Sequence, residues 1–460
     1  MTRFITGIIV ALGLLTVAAG PTAARMTGGT ATASYIVVLS SAPDAVPLVA
    51  ADHAQKLGLT VRFVYRSALV GYAADVPDRA VEALRADPRV VAVVPDRDTY
   101  AAGQEQQLPG GQGKDIPLGI DRVDADLSPT ADIDGVDAPR VDVDVAVLDT
   151  GIDVDHPDLN VAGGKDCQGG RDFSDPNGHG THISGVVGAL DDGVGVVGVA
   201  PGVRLWAVRV LDEDRKAGTK EVLCGIDWVT ATRLDDDPRN DIEVVNFSLN
   251  TPGRDDGHCG AVNNSLLHRA ICRSVGAGVT YVVSAGNESK NAARFVPAAY
   301  DEVITVSALA DSDGRPGSVG GAPACQDDVD DTLADFSNTG RDVDLIAPGV
   351  CVLSTEPVAG PILPVPDTDL PSSDLPSTEL VRIDGPGLPA REIPKGYGLR
   401  SGTSFSAPHV TGAAALYLSR HPGAPPAQVR SVLMTQGNGG WDAHEDTDRI
   451  KEPVVDARAL

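Results

Sequence analysis

From Val141 onward one pattern repeats: a short apolar segment rich in valine, a stretch with helical spacing, then another apolar segment. The apolar segments are 143–148, 203–211, 243–249, 279–284, 303–307 and 343–346, and helices are expected at 180–190, 219–232, 262–275, 404–419 and 426–435. Strands that are apolar on both faces need cover on both, and strands joined through helices run parallel. The expected fold is therefore α/β, a predominantly parallel sheet with helices on both faces. Pro425-Pro426 suits the start of the last helix, where the first turn has no use for an N–H donor.

The residues before this region read differently. Residues 35–100 alternate as strand, helix, strand, strand, helix, strand, which is the ferredoxin-like order of a small α+β domain. No titratable cluster in it suggests catalysis. A Gly/Gln-rich linker at 101–117 reads as exposed and open to proteolysis. Residues 1–24 combine Arg3, an apolar run and the small-residue sequence Thr22-Ala23-Ala24, the three parts of a secretory signal peptide. The run is too short for a membrane anchor, so a secreted, extracellular protein is expected. The remainder, 118–460, forms one large domain with expected surface insertions near 311–335 and 356–395, and no further C-terminal domain is anticipated.

The 64 acidic and 37 basic residues give a net charge of −27, which excludes nucleic acid as the partner. All six cysteines fall in the large domain, an even count that in an exported protein points to disulfides. No pair has C-x-x-C spacing, so zinc is not expected, and the short separation of Cys259 and Cys272 makes them the first choice for a pair.

Four short segments sit where open α/β sheets place their sites, at strand ends and helix starts. They are Asp149-Thr150-Gly151-Ile152-Asp153, Gly178-His179-Gly180-Thr181-His182, Ser284-Ala285-Gly286-Asn287 and Gly402-Thr403-Ser404-Phe405-Ser406-Ala407-Pro408-His409. A serine hydroxyl becomes a useful nucleophile when an imidazole accepts its proton and a buried carboxylate orients that imidazole. Asp149, His179 and Ser404 supply one of each. Taken alone, Ser404 reads as a helix cap and Asn287 as a turn residue; together the four segments favour chemistry.

In their order Asp, His, Asn, Ser these segments resemble the subtilisin-like serine proteases, and residues 35–100 resemble the inhibitor prodomain that precedes such enzymes. The resemblance implies that Ser404 is the nucleophile, His179 the general base and acid, Asp149 the orienting carboxylate and Asn287 an oxyanion donor. It implies protein or peptide substrates, no catalytic cofactor, and an intramolecular inhibitor that lays about residues 94–100 through the cleft. Cleavage is expected between Asp98 and Gly113, provisionally after Tyr100, and a monomer is expected. The resemblance also implies a structural calcium held by Asp158 with Leu190, Asp192, Val194 and Val196. His182, three residues after His179, raises a metal pair, but no third ligand is evident and a structural place is expected for it and for His409. The chain departs from the family at Ser248-Leu249-Asn250, where glycine is usual in place of Asn250, and Phe295 matches a pocket-lining position. The alternative is a catalytically silent secreted binding protein on the same fold; a glutamate-based acid peptidase and an α/β-hydrolase esterase lack the matching residues.

Overall fold

In a computed structural model of the chain, the described residues are 31–101, 116–323, 325–358 and 396–460 except 447 and 449, with the backbone of 106–108, 380–383 and 391–394. The leader at 1–24, most of the linker and most of the stretch 356–395 lie outside them.

The N-terminal domain runs β1 (Thr32–Leu39), α1 (Val46–Leu57), β2 (Thr60–Tyr65), β3 (Gly71–Pro77), α2 (Asp78–Ala86) and β4 (Val90–Pro95), in the anticipated order. Its antiparallel sheet has the strand order β2-β3-β1-β4. Val46, Val49 and Ala50 of α1 and Ala80, Val81 and Leu84 of α2 are buried at helical spacing and cover one face of the sheet. Gly58 ends α1 in the left-handed conformation, φ 71°, that a glycine C-cap allows.

Two short strands follow, β5 (Asp98–Ala101) and β6 (Gln106–Leu108), and then the large domain. Its elements are α3 (Leu118–Arg122), β7 (Asp144–Asp149), β8 (Val161–Asp166), α4 (His179–Gly188), β9 (Arg204–Arg209), β10 (Lys216–Gly218), α5 (Thr219–Thr232), β11 (Val244–Phe247), β12 (Leu249–Pro252), α6 (Leu266–Gly276), β13 (Thr280–Ser284), β14 (Phe295–Val296) and β15 (Ile304–Ala310). They continue with β16 (Thr332–Leu333), β17 (Leu345–Pro348), β18 (Val352–Thr355), the hairpin β19 (Leu380–Ile383) and β20 (Arg391–Pro394), β21 (Tyr397–Ser401), α7 (Thr403–Arg420) and α8 (Pro426–Gln436).

Strands β8, β9, β7, β11, β13, β15 and β17 pair in parallel, and β16 closes one edge antiparallel to β15. Side chains alternate along β7: Val145 and Val147 pack with Ile183 and Val187 of α4 and with α7, while Ala146 and Leu148 pack with α5 and α6 on the other face. The sheet is thus covered on both faces, as its uninterrupted apolar strands require. Three disulfides pair Cys167 with Cys224, Cys259 with Cys272, and Cys325 with Cys351.

Two local expectations change. The helix anticipated at 262–275 starts only at Leu266, because the Ser265 hydroxyl accepts the His268 N–H and caps it there. The acidic stretch 311–335, expected as a surface insertion, is exposed over 315–319 but buries Asp311, Asp330 and Asp331 and contributes β16 to the sheet. The reason is electrostatic: the fully buried Arg122 guanidinium donates to Asp331 Oδ1 at 3.0 and 2.8 Å and draws the stretch inward.

The N-terminal domain docks on α5. Asp227 accepts backbone N–H groups from Arg66, Ser67, Ala68 and Leu69 at 2.7–3.4 Å, and the Tyr65 hydroxyl donates to the Lys220 carbonyl. Ile36, Val38, Leu69 and Ala73 join one apolar cluster with Val222 and Ile226 of α5. A charged acceptor serving several N–H groups contributes about 1.5–3 kcal/mol per bond. Asp227→Ala is therefore expected to speed amide hydrogen exchange at 66–69 by at least about tenfold; unchanged exchange would mean that apolar contact alone holds this loop.

Candidate active site

Asp149 ends β7 with its side chain fully buried, and its Oδ1 accepts both the Thr150 N–H at 2.7 Å and the His179 Nδ1–H at 2.6 Å. His179 is the first residue of α4, entered through Gly178 at φ 99°. A Cβ on Gly180 would stand 2.1 Å from the Gly151 carbonyl oxygen, so only glycine lets the helix begin against the end of β7. Asp175 ties down the same turn: its carboxylate accepts the N–H groups of Asn177, Gly178 and Thr181 and the Thr181 hydroxyl at 2.7–2.9 Å. The sequence reading passed over Asp175, although an aspartate four residues before a helix is a recognisable N-terminal signal.

Ser404 is the second residue of α7, beside the positive end of an 18-residue helix. Pro408, four residues later, has no N–H to give to the Ser404 carbonyl. That carbonyl accepts the Ser248 hydroxyl instead, at 3.1 Å, which joins the start of α7 to the loop between β11 and β12. The Phe405 ring then packs edge-on against His179, centroids 5.4 Å apart, and against His182 at 4.8 Å. Ser404 Oγ is buried and makes no hydrogen bond to any described residue.

Asn287 follows β13. Its Oδ1 accepts the Thr403 N–H at 2.8 Å and the Thr403 hydroxyl at 2.7 Å, so its Nδ2 is presented as a donor beside the first turn of α7. The structure thus brings all four predicted segments together, with Asp149 directly on His179 and Asn287 directly on the residue before Ser404. Asn250 and Phe295 lie on β12 and β14, 6% and 8% exposed, and Asn250 Nδ2 has no hydrogen-bond partner. Gly286, at φ 104°, leaves the room that Asn250 uses: a Cβ there would meet its Nδ2 at 2.5 Å.

The two other histidines are structural. Both ring nitrogens of His182 are spent within the protein, on Glu356 at 3.0 Å and on the Val352 carbonyl at 3.0 Å, so it forms no metal pair with His179. Burial works to raise the Glu356 pKa, but the charge and hydrogen bonds of Arg400, with help from His182, outweigh it and hold this carboxylate at about 2. Burial pulls His409 down to about 4, against the opposing pull of the Phe405 carbonyl, so it is neutral in the fold.

The loop 190–196 wraps Asp158, which is 3% exposed. Asp158 accepts the Leu190 and Val196 N–H groups at 3.2 and 3.1 Å and the Tyr397 hydroxyl at 3.1 Å, all neutral donors. Asp192 turns one oxygen to the Val194 N–H. A carboxylate buried among neutral donors, with a second carboxylate and several carbonyls on the enclosing loop, suits a hard cation.

Comparison with known proteins gives the family likeness of both domains. The subtilase family pattern matches residues 141–452, and that of the peptidase inhibitor I9 family matches residues 34–102. The chain is 32% identical to an extracellular serine proteinase of Thermus sp. (strain Rt41A) over 383 residues, 82% of this chain and 73% of the relative. It is 30% identical to subtilisin E of Bacillus subtilis (strain 168) over 367 residues, 78% of this chain and 74% of the relative. A solved cold-adapted subtilisin-like serine proteinase superposes with a TM-score of 0.51 at 25% identity, covering 75% of this chain and 99% of the other.

Two outcomes follow from the packing. His409 has a folded pKa below its ordinary value of about 6.5, so the unfolded chain gains the proton first and stability falls as pH drops from about 6.5 to 4, by up to about 3 kcal/mol. Urea midpoints of a Ser404→Ala chain across this range check it, and His409→Gln should flatten the slope. Phe405 occupies the core between two histidines and has no sulfur, so peroxide is expected to inactivate the enzyme slowly and Phe405→Met to sensitise it.

Proposed function

Because the chain belongs to the subtilase family and is a serine-type endopeptidase with an I9 inhibitor domain, we propose that Asp149, His179 and Ser404 are its catalytic triad. Asn287 is the oxyanion donor, and the protein is exported as a self-inhibited precursor. The single observation that carries this reading is the position of β5. It lies between β10 and β12, antiparallel to both: Tyr100 opposes Lys216 and Asn250, and Ala101 opposes Leu249. The chain of the N-terminal domain therefore fills a gap between two strands of the large domain, as a peptide substrate adding a strand would. Ser248, next to Leu249, is the residue whose hydroxyl reaches the Ser404 carbonyl, so β5 leads to the nucleophile.

In this mechanism His179 takes the Ser404 Oγ proton on Nε2 as Oγ bonds to the scissile carbonyl carbon. Asp149 keeps the Nδ1–H and stabilises the imidazolium that forms. Negative charge develops on the carbonyl oxygen beside the N-terminal turn of α7 and the Asn287 amide. The imidazolium then gives its proton to the leaving amine, the C–N bond breaks, and an acyl-enzyme on Ser404 remains. Water, deprotonated by His179, attacks that ester and restores the hydroxyl. The 2.6 Å Asp149–His179 hydrogen bond and the anchored Asn287 favour this enzyme over a silent binding protein on the same fold.

Tyr100 is held on both sides as an interior strand residue, so the cut falls beyond Ala101, still within 98–113, rather than after Tyr100. The fully paired cysteines support export, and among the described residues no helix is long and apolar enough to cross a membrane. Calcium at Asp158, Leu190, Asp192, Val194 and Val196 would neutralise the buried carboxylate and fix the loop that follows α4.

The full chain and its Ser404→Ala twin test this. Wild type is expected to lose its N-terminal domain and digest casein, with a mature N-terminus beyond Ala101, while the twin does neither. Asn287→Ala should process itself slowly, by the roughly 100- to 1000-fold loss known for this donor in a subtilisin, a magnitude carried over from that relative. Chelation should lower the melting temperature of the twin, and Asp158→Asn should remove part of that response.

A further inference from the structure

After α8 the chain turns back across the end of the sheet, and Asp446, Asp448 and Glu452 meet there. Asp446 and Asp448 each commit one carboxylate oxygen to the chain itself: Asp446 Oδ1 accepts the Asp448 N–H at 3.2 Å, and Asp448 Oδ1 accepts the Ile450 N–H at 2.7 Å. Their second oxygens and Glu452 Oε1 are buried and have no hydrogen-bond partner among the described residues. Asp446 and Glu452 are only 5% and 4% exposed, and ligand oxygens of all three acids lie within 4.8 Å of one another.

Burying one unpaired carboxylate is costly, and burying three in contact more so, unless positive charge enters among them. Among the described residues no basic side chain pairs with them; the nearest in sequence, Lys451, lies over the Trp441 ring, 5.8 Å from its centroid. The acidic grouping around Asp311, by contrast, carries its own counter-charge, the Arg122 guanidinium at 3.5 Å. Among the described residues the 446–452 group has none.

Calcium binds oxygen at roughly 2.3–2.6 Å, so one ion can bridge oxygens up to about 5 Å apart, and the ligand oxygens of these three acids all lie close enough together for that. We propose that Asp446, Asp448 and Glu452 form a calcium site, separate from the loop around Asp158, that binds the C-terminal segment to the sheet. The segment is positioned for that task. Trp441 Nε1 donates to the Glu452 carbonyl at 2.7 Å, the Ile346 N–H of β17 donates to the Pro453 carbonyl at 3.1 Å, and the Asp442 N–H donates to the Asp331 carbonyl at 2.7 Å. An ion on Glu452 would therefore hold together a strap that touches both β16 and β17.

The Trp441 contact supplies a direct probe. Terbium, a calcium mimic with the same preference for oxygen, is added to the full-length Ser404→Ala chain and its emission is read with excitation of tryptophan only. Emission is expected, displaced by calcium, reduced at least about tenfold by Glu452→Gln or Asp448→Asn as for loss of any ligand, and retained in Asp158→Asn. The melting temperature gives a second reading through its sign. In excess chelator Glu452→Gln removes one of three repelling charges and raises it; in calcium the same change removes a ligand and lowers it. No tryptophan-sensitised emission, emission indifferent to both substitutions, or the same sign of melting shift in both conditions would overturn the site in favour of a cluster that shares a proton.

Discussion

The 2.6 Å hydrogen bond between Asp149 and His179 joins the end of the central strand β7 to the first residue of α4, and the rest of the site is built outward from it. It exists because a parallel strand delivers its last side chain to the C-terminal edge of the sheet, where the next helix must also begin. Glycine at 180 and the Asp175 carboxylate set how closely α4 approaches that edge. Phe405, packed on both histidines of α4, brings α7 against the same place. Ser404 and His179 thus come from helices more than 200 residues apart in sequence, yet each is fixed by contacts within a turn of its own helix start.

The start of α7 shows how one covalent constraint organises a wider network. Pro408 denies the Ser404 carbonyl its helical partner, and a buried carbonyl must bond elsewhere. It finds Ser248, which in turn accepts from Asn246 Nδ2, while the Asn246 Oδ1 takes the Thr411 hydroxyl one turn after Pro408. The loop between β11 and β12 and the start of α7 are therefore one hydrogen-bonded unit. Inhibition by the N-terminal domain uses the same region: β5 satisfies backbone groups of β10 and β12 that a substrate would otherwise meet, while Asp227 and the apolar patch on α5 hold the body of the domain in place. Docking of the domain and pairing of β5 are thus carried by different residues.

Much of this was legible without coordinates. The six short apolar segments announced the parallel sheet, because only strands covered on both faces can be apolar throughout. The alternating order of residues 35–100 announced the small domain, and the segments of Asp149, His179, Asn287 and Ser404 stood out as a candidate site that the fold then brought together, because glycine-flanked polar residues at strand ends are hard to explain by packing. The neighbouring pair Cys259 and Cys272 was also recoverable from separation alone. Short strands were not: β5, β10 and β14 have two to four residues each, and their existence depends on finding a partner across the cleft.

What the sequence alone determined is what depends on neighbours along the chain: helix and strand periodicity, the glycines and the proline that shape the two helix starts, and the residue types needed to activate a serine. Only the tertiary structure decided where charge is balanced. Asp331 is drawn inside by Arg122 from 209 positions away, and Glu356 is held ionised by Arg400 from 44 positions away. Asp446, Asp448 and Glu452 have no such partner among the described residues. In the sequence all of these are acidic residues in polar stretches that read as solvated surface. Their difference arises because the energy of a buried charge is set by what stands within a few ångströms in space, and that distance does not exist until the chain has folded.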